Sequence, residues 1–322
     1  MGPSAYEDGS DAETVDRTAD VQADRLRTAR LREAFLREYP DAFDAMLGRW
    51  AEASGACEMS LMYAASYLFV TGEVRWAVDP VLPGSLLPDF PDGLRTEPLG
   101  ELAFVLLTHD HSDHVDWELL ASLRDSGVTF VVPEHMRDAV AERVKPRGGQ
   151  MAVARWGERL ELHGMGILPW DGLHWQTDPD GRRQGTDATG YLVEAEGRRW
   201  LFPGDVRDYR AEEVARFAPV DALFAHLWLG RGRALDPAPP ELDAFCEFLR
   251  AVEPRRVVLT HLYEFSRRPT DLWTDRHVGL IRERWKEMGE QAPIMTPRVG
   301  EMMVLCDGSA PEVSCPGRLS SA

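Results

Sequence analysis

The strongest chemical signal in the sequence is the segment HDHSDH at residues 109–114, with potential metal ligands at His109, His111, Asp113 and His114. Only nine histidines occur in the 322 residues, so three of them in six positions are improbable by chance. Neutral imidazole nitrogens and carboxylate oxygens suit Zn²⁺, and also iron or manganese. The segment therefore predicts a metal site.

The spacing of these donors predicts two neighbouring ions. Side chains two residues apart in an extended segment point the same way, so His109 and His111 can converge on one ion. The chain is then expected to turn into a helix, which swings Asp113 and His114 toward a second ion. Four donors form only the nucleus of such a centre, so further ligands are expected from later parts of the chain.

Three later donors share one setting, since each comes at or shortly after the end of a predicted strand. Asp205 follows the segment WLFPG, His261 follows VVLT, and His174 lies a few residues beyond another predicted strand. Donors collected from the ends of several strands are what an open metal site requires. His163, inside a predicted hairpin, competes with His174 as the third histidine.

The elements around these residues indicate an α/β protein. Residues 102–108 are almost all apolar and predict a strand buried on both faces. Residues 61–70 and 74–78 predict two strands joined by a turn at Gly72. Strands alternate with helices in the second half of the chain, which indicates layered sheets covered by helices.

The flanking regions are predicted to differ from this central part. Residues 1–20 are expected to form a disordered acidic leader. Residues 21–56 form an N-terminal helical extension, interrupted at Pro40, which could pack on the main domain or mediate a homo-oligomer. The main domain is predicted at 57–306, followed by a loose C-terminal tail at 307–322.

Composition excludes some classes of protein. The 36 Lys and Arg against 54 Asp and Glu give a net charge of −18, which disfavours a nucleic-acid partner. No apolar run reaches the roughly 18 residues of a membrane span, and the acidic start is unlike a secretory signal. None of the four cysteines forms a C-x-x-C pair, so reduced cysteines and a cytoplasmic location are expected.

The order of these motifs resembles the metallo-β-lactamase fold superfamily of metal-dependent hydrolases over roughly residues 59–305. The resemblance implies a four-layer αββα sandwich. It also implies a dinuclear centre of two Zn²⁺, with Mn²⁺ or Fe²⁺ as alternatives, and favours His174 over His163. The implied metal ligands are His109, His111 and His174 for one ion, Asp113, His114 and His261 for the other, and Asp205 as the bridge.

Further roles follow from the same resemblance. Asp79, at the end of an early strand, would orient a metal-binding histidine, although an Asp before Pro80 could simply form a turn. A metal-bridging hydroxide would attack a carbonyl or phosphoryl centre, with Asp113 orienting the water. His226, on a strand near the site, is the second catalytic candidate, as a proton donor or oxyanion ligand, unless it is a core histidine.

Spacing and motif order are most similar to the branch of ascorbate-6-phosphate lactonase-like and N-acylphosphatidylethanolamine phospholipase D-like enzymes. That branch implies hydrolysis of an ester, lactone or phosphodiester in a small molecule or lipid. An iron-dependent oxidoreductase of the persulfide dioxygenase type, a nuclease-type phosphodiesterase and a non-catalytic module are the alternatives. Two further groups are candidates for substrate binding: the arginines Arg207, Arg231 and Arg233, and the tryptophans Trp170, Trp175 and Trp228.

Overall fold

The computed structural model describes residues 10–177, 180–305 and 313–314, and its centre is a pair of β-sheets. The first sheet has eight strands, in the spatial order β17 (Val313–Ser314), β16 (Met302–Val304), β1 (Ala56–Tyr63), β2 (Ser66–Gly72), β3 (Val74–Val78), β4 (Phe104–Leu106), β5 (Thr129–Pro133) and β6 (Met151–Ala154). Strands β3 to β6 run parallel to one another.

The second sheet has seven strands, in the order β15 (Ile294–Met295), β14 (Val257–Thr260), β13 (Ala222–His226), β12 (Arg198–Gly204), β11 (Thr189–Ala195), β8 (Met165–Asp171) and β7 (Leu160–Leu162). Strands β12 to β15 are parallel, and β11 is antiparallel to both β8 and β12. A separate short hairpin pairs β9 (Gln176–Thr177) with β10 (Arg183–Gln184).

Aromatic side chains fill the space between the sheets. Trp76 of the first sheet and Phe202 of the second are fully or almost fully buried, and their ring centroids are 5.9 Å apart. Phe69 stacks on Trp76 at 4.1 Å, and Phe202 stacks on Phe224 at 4.4 Å. Each fully buried aromatic or large aliphatic side chain contributes about 1.5–3 kcal/mol of transfer free energy, so this layer is a main source of stability.

Helices cover the outer face of each sheet. The first sheet packs under α1 (Ser10–Glu52), α2 (Trp117–Leu123) and α3 (Arg137–Arg143), while the second packs under α4 (Ala211–Ala215), α5 (Leu242–Ala251) and α6 (Asp275–Glu287). The order of layers is therefore helix, sheet, sheet, helix, which confirms the predicted αββα sandwich.

Helix α1 differs from the prediction for the N-terminal region. It runs without a break through Pro40, because Tyr39 and Phe43 on either side are fully buried against the first sheet and hold the chain helical. The same helix begins at Ser10, within the segment predicted to form the acidic leader. Residues 1–9 lie outside the described residues.

Other expectations need smaller corrections. The predicted strand at 61–70 is two strands, because the chain reverses at Ala64, whose φ is +45°. Cys57 is disulfide-bonded, so the expectation of reduced cysteines is wrong there, whereas Cys246 is a free, buried thiol. In the tail predicted to be loose, Val313–Ser314 pairs with β16, and the remaining residues of 307–322 are outside the described part.

Strand direction explains where the predicted ligands lie. Strands β8, β12, β13 and β14 all run the same way, so their carboxyl ends meet at one edge of the second sheet. The segment after β4 carries the histidine motif to the same edge, since Thr189 donates its backbone N–H to the Thr108 carbonyl at 2.9 Å. In the described residues, no helix is both long and apolar enough to cross a bilayer.

Candidate metal centre

Seven predicted ligands gather at this edge in two groups that share one carboxylate. The donor atoms of each group lie within 4.8 Å of one another. The first group is His109, His111, His174 and Asp205, and the second is Asp113, His114, Asp205 and His261. His111 is the one member that is not buried, so the centre is open to solvent on the side of the first group.

Short contacts inside each group define the convergence. His109 Nε2 lies 3.0 Å from His111 Nδ1. In the second group, His261 Nε2 is 3.2 Å from Asp113 Oδ2, and His114 Nε2 is 3.3 Å from Asp205 Oδ1. The division is the one that the family resemblance implies, with Asp205 between the two groups.

Unsatisfied buried atoms test whether a cation fits here. His114 Nε2 and both ring nitrogens of His174 are buried and make no hydrogen bond in the described residues. Buried polar atoms are nearly always satisfied, so these imidazoles require a partner that the protein does not supply. A divalent cation bound by nitrogen and carboxylate oxygen would satisfy them, and the donor set suits Zn²⁺, Mn²⁺ or Fe²⁺.

The protonation of the first group favours cation binding. Burial lowers the pKa of His109 and His111, and it lowers the pKa of His174 to about 4. These imidazoles are therefore neutral near pH 7, which is the form that binds a metal.

The second group carries the carboxylates and responds differently. Burial lowers the pKa of His114, but the charges of Asp205 and Asp113 outweigh it and raise that pKa well above its ordinary value. For Asp113, burial raises the pKa, and His114, His261 and Arg267 together bring it well below its usual range. Without a cation, a proton on His114 therefore offsets one of the two carboxylate charges.

Asp79 fixes the orientation of the histidine motif. Its backbone has φ of +42°, a strained value for a residue other than glycine, and its carboxylate is fully buried. Thr108 donates its backbone N–H to Asp79 Oδ1 at 2.8 Å, and His114 Nδ1 donates to Asp79 Oδ2 at 2.7 Å. Because Nδ1 is bound to Asp79, the other ring nitrogen, Nε2, points toward Asp205 and is available to bind a metal ion.

The backbone is strained at or next to two of the candidate ligands, His261 and His174. His261 itself has φ of +66°, and Leu173, just before His174, has φ of +52°. Behind His174, a Cβ on Gly185 would come within 2.3 Å of the His174 carbonyl oxygen, so only glycine fits. His163, in contrast, is exposed in the turn between β7 and β8 and belongs to neither donor group.

The comparison with known proteins agrees with this geometry. A family model described as "Beta-lactamase superfamily domain" matches residues 77–262, more than half of the chain, and the match includes all seven donors. The chain belongs to the metallo-β-lactamase superfamily.

Individual relatives and one solved structure are similar to this chain. The chain is 26% identical to a UPF0173 metal-dependent hydrolase of Pyrococcus abyssi over 74% of this chain and 95% of that one. It is 23% identical to one of Thermococcus onnurineus, over 73% and 94%. Among solved structures, the metallo hydrolase Igni18 of Ignicoccus hospitalis has a TM-score of 0.55 at 16% identity, covering 76% of this chain and 97% of that one.

Two charged residues beside the second donor group, Glu264 and Arg267, were not predicted from the sequence. Arg267 donates to Asp113 Oδ2 through Nη2 and to Glu264 Oε2 through Nε, the latter at 2.8 Å. Glu264 is buried, and its Oε2 lies 3.4 Å from His261 Nε2. Their only signal was proximity in sequence, three and six residues after His261, which does not reveal where a loop turns back.

His226 is buried beside the centre and has protein partners on both ring nitrogens. Its Nδ1 donates to Asp205 Oδ1 at 2.8 Å, and its Nε2 is 3.1 Å from the hydroxyl of Tyr67, which in turn contacts Thr260 Oγ1. Both ring nitrogens thus have protein partners, and this arrangement favours the core-histidine alternative. The predicted proton-donor role of His226 is not supported by any free ring nitrogen.

The other candidate residues are divided between the site and its surroundings. Arg207, Arg231 and Trp228 line a cavity together with two of the histidine ligands. Arg233 instead forms an ion pair with Asp236 at 3.2 Å on the surface. Trp170 is buried in the outer core of the second sheet, and Trp175 stacks under Arg183 at 4.1 Å.

Proposed function

We propose that the protein is a metal-dependent hydrolase whose seven donors hold two divalent cations, with Zn²⁺ as the leading candidate and Mn²⁺ or Fe²⁺ as alternatives. The single observation that carries the proposal is Asp205, which belongs to both donor groups at once. The relatives named metal-dependent hydrolases support the same interpretation. The proposed reaction is hydrolysis of an ester, lactone or phosphodiester, as in the lactonase and phospholipase D-like branch.

A pair of cations at these donors would lower the pKa of a water molecule and stabilise negative charge on the substrate oxygen. The protein's own contribution is to hold the groups that orient that water. Asp113 is kept ionised by its cationic neighbours and is therefore a hydrogen-bond acceptor for a water, not an acid. Arg267 fixes Asp113 from one side, so the carboxylate has a defined direction.

Hydrogen bonds to both oxygens also fix the carboxylate of Asp205, the proposed bridging ligand. His226 donates to Asp205 Oδ1 and Arg207 Nη2 donates to Asp205 Oδ2 at 3.0 Å, so each oxygen has one protein partner. A carboxylate oxygen can accept more than one hydrogen bond or ligand. Asp205 can therefore keep these contacts while it presents both oxygens to the centre, and we assign His226 a positioning role.

The first test is metal content. We expect the purified protein, loaded with zinc and desalted, to retain about two metal ions per chain by mass spectrometry. His174→Ala should lose at least one of them, because it removes a buried donor of the first group. His163→Ala is the matched control and should retain both, since that histidine is exposed and lies outside both groups.

The second part of the test is activity on a panel of lactones, thioesters, bis-p-nitrophenyl phosphate and lipid phosphodiesters with zinc- and manganese-loaded protein. Hydrolysis that disappears in His174→Ala and persists in His163→Ala is expected. Equal metal content in the two variants would contradict the ligand assignment. Iron as the sole tightly bound metal, together with oxygen uptake, would contradict the hydrolase assignment.

A further inference from the structure

The cavity beside the first donor group has an unusual concentration of arginine. Its volume is about 610 Å³, and His111 and His174 form part of its wall. Four arginines also line it, whereas Asp271 is its one acidic lining residue. The arginines are Arg207, Arg231, Arg267 and Arg268. In a chain with a net charge of −18, such a local excess of positive charge calls for a specific explanation.

Arg207 is built into the cavity wall with one nitrogen left unsatisfied. Its side chain is only 8% exposed, and its guanidinium lies 4.5 Å from the ring centroid of Trp228. Nη2 donates to Asp205, but the buried Nη1 makes no hydrogen bond in the described residues. Because a buried donor without a partner is costly, this nitrogen is available for an acceptor that the described protein atoms do not supply.

Two further arginines have free guanidinium groups at the cavity mouth. Arg231 and Arg268 are exposed, and neither side chain forms an ion pair or hydrogen bond with any described residue. The nearby Asp271 forms no ion pair with either arginine in the described residues; it accepts from the Gly232 backbone N–H at 2.7 Å and from the Thr270 hydroxyl at 3.2 Å. Arg267, in contrast, is committed to Asp113 and Glu264.

The balance of charge favours an anionic ligand once the centre is loaded. Four arginines and two divalent cations would carry eight positive charges, against the five carboxylates of Asp79, Asp113, Asp205, Glu264 and Asp271. The site with its cations bound would therefore carry a net positive charge beside the cavity. Guanidinium groups bind phosphate, sulfate and carboxylate with paired, charge-assisted hydrogen bonds, so the wall is chemically suited to an oxyanion.

We propose that this cavity is an oxyanion subsite, in which Arg207 Nη1, Arg231 and Arg268 bind a phosphate, sulfate or carboxylate group of the substrate. The inference rests on the proposed hydrolase function and names its substrate class: an ester or lactone that carries a separate negative charge. His111 and His174 share the cavity with these arginines, so the anionic group is held next to the first donor group. Arg207 also links the subsite to the centre through Asp205.

The direct test measures anion binding without turnover. Isothermal titration of zinc-loaded protein with inorganic phosphate and, separately, with succinate compares the wild type with the double variant Arg231→Ala/Arg268→Ala. We expect the double variant to bind the preferred anion about tenfold more weakly. Arg233→Ala is the matched control, because this arginine lies on the same loop but is paired with Asp236 outside the cavity, and it should bind as the wild type does.

The two anions separate the possible sources of the negative charge, since the arm that binds more tightly identifies a phosphate-bearing or a carboxylate-bearing substrate. Equal binding by the wild type and the double variant would overturn the proposal, because the anion would then be held by the cations alone. Absence of binding by the wild type would overturn it as well. Melting temperatures of the three proteins check that the exposed substitutions leave the fold intact.

A kinetic arm separates the subsite from the hydrolase function. Mono-p-nitrophenyl succinate and p-nitrophenyl butyrate have the same scissile ester and differ in a terminal carboxylate. We expect the double variant to lose about tenfold in kcat/KM for the succinate ester and less than twofold for the butyrate ester. Equal losses on both esters would overturn the subsite alone. Arginine-dependent anion binding by a protein that hydrolyses no ester would leave the subsite standing and contradict the hydrolase function.

Discussion

At the scale of single residues, the centre depends on side chains that do not themselves belong to a donor group. Asp79 holds His114 and Thr108, His226 holds Asp205, and Arg267 holds Asp113. Each of these contacts removes rotational freedom from a ligand before a cation arrives. A preorganised ligand loses less entropy on binding, so these positioning residues should affect affinity almost as strongly as the ligands.

Asp79→Asn tests this idea at the residue with the most contacts. Asp79 Oδ1 accepts from the Thr108 backbone N–H, and Oδ2 accepts from both His114 Nδ1 and the Thr108 hydroxyl. Asparagine replaces one of these oxygens with an NH₂ group that faces a donor, so the network that fixes the His114 ring is broken on one side. We expect zinc affinity, measured by competition with a fluorescent chelator, to fall about 10- to 100-fold. Asp110→Asn, an exposed carboxylate in the same motif, is the control, and an equal effect in both variants would refute the role of Asp79.

At the scale of elements, helix α1 is part of the sandwich and not an appendage to it. Phe35, Tyr39 and Phe43 pack in the same core as the outer face of the first sheet. Arg49 donates to the Gly300 carbonyl at 2.7 Å, and Arg75 donates to the carbonyls of Ala51 and Ala53 at the end of the helix. Removal of this helix would expose the outer face of the first sheet to water.

Phe43→Ala measures how much this packing contributes. The Phe43 ring is fully buried and stacks on Tyr39 with centroids 5.5 Å apart. Its truncation should lower the free energy of unfolding in urea by about 3–5 kcal/mol. Leu26→Ala on the same helix removes a side chain that is 55% exposed and should cost less than about 0.5 kcal/mol, so similar losses in the two variants would contradict the assignment of α1 to the core.

The seven candidate donors could be expected to lie together because each belongs to a local pattern. His109 and His111 alternate in an extended segment, and Asp205 and His261 each follow an apolar strand, so their convergence could be predicted from strand direction alone. The effect of Pro40 was predicted wrongly because tertiary packing can override a helix-breaking residue. Tyr67, Glu264 and Arg267 were missed because loops and distant strands bring them to the centre, and no local pattern records such contacts.

At the scale of the whole molecule, the donors come from both sheets. His109, His111, Asp113 and His114 follow β4 of the first sheet, whereas His174, Asp205 and His261 follow strands of the second. A cation that binds the folded arrangement and not the unfolded chain stabilises the fold by mass action. Zinc should therefore stabilise the packing of one sheet against the other.

Thermal unfolding with added zinc tests this coupling. Free zinc at a hundred times its dissociation constant should add about 2.7 kcal/mol to the free energy of unfolding. At one fixed zinc concentration, the gain should be smaller at pH 6 than at pH 8, because the pKa of His114 is raised in the metal-free protein and its proton must leave before a metal binds. Zinc should fail to stabilise His174→Ala to the same extent, while His163→Ala serves as the control; a melting temperature independent of zinc would contradict the coupling.

The exposed turn at residues 155–159 separates strands β1 to β6 of the first sheet from the strands of the second sheet along the chain, and β16 and β17 return to the first sheet later. The histidine motif at residues 109–114 precedes this turn, and the other three donors, His174, Asp205 and His261, follow it. A polypeptide severed there would consist of two fragments, each with an incomplete set of ligands. Tight binding of two cations would then require the two fragments to reassociate. The amount of bound metal would therefore measure how completely they reassemble into the folded protein.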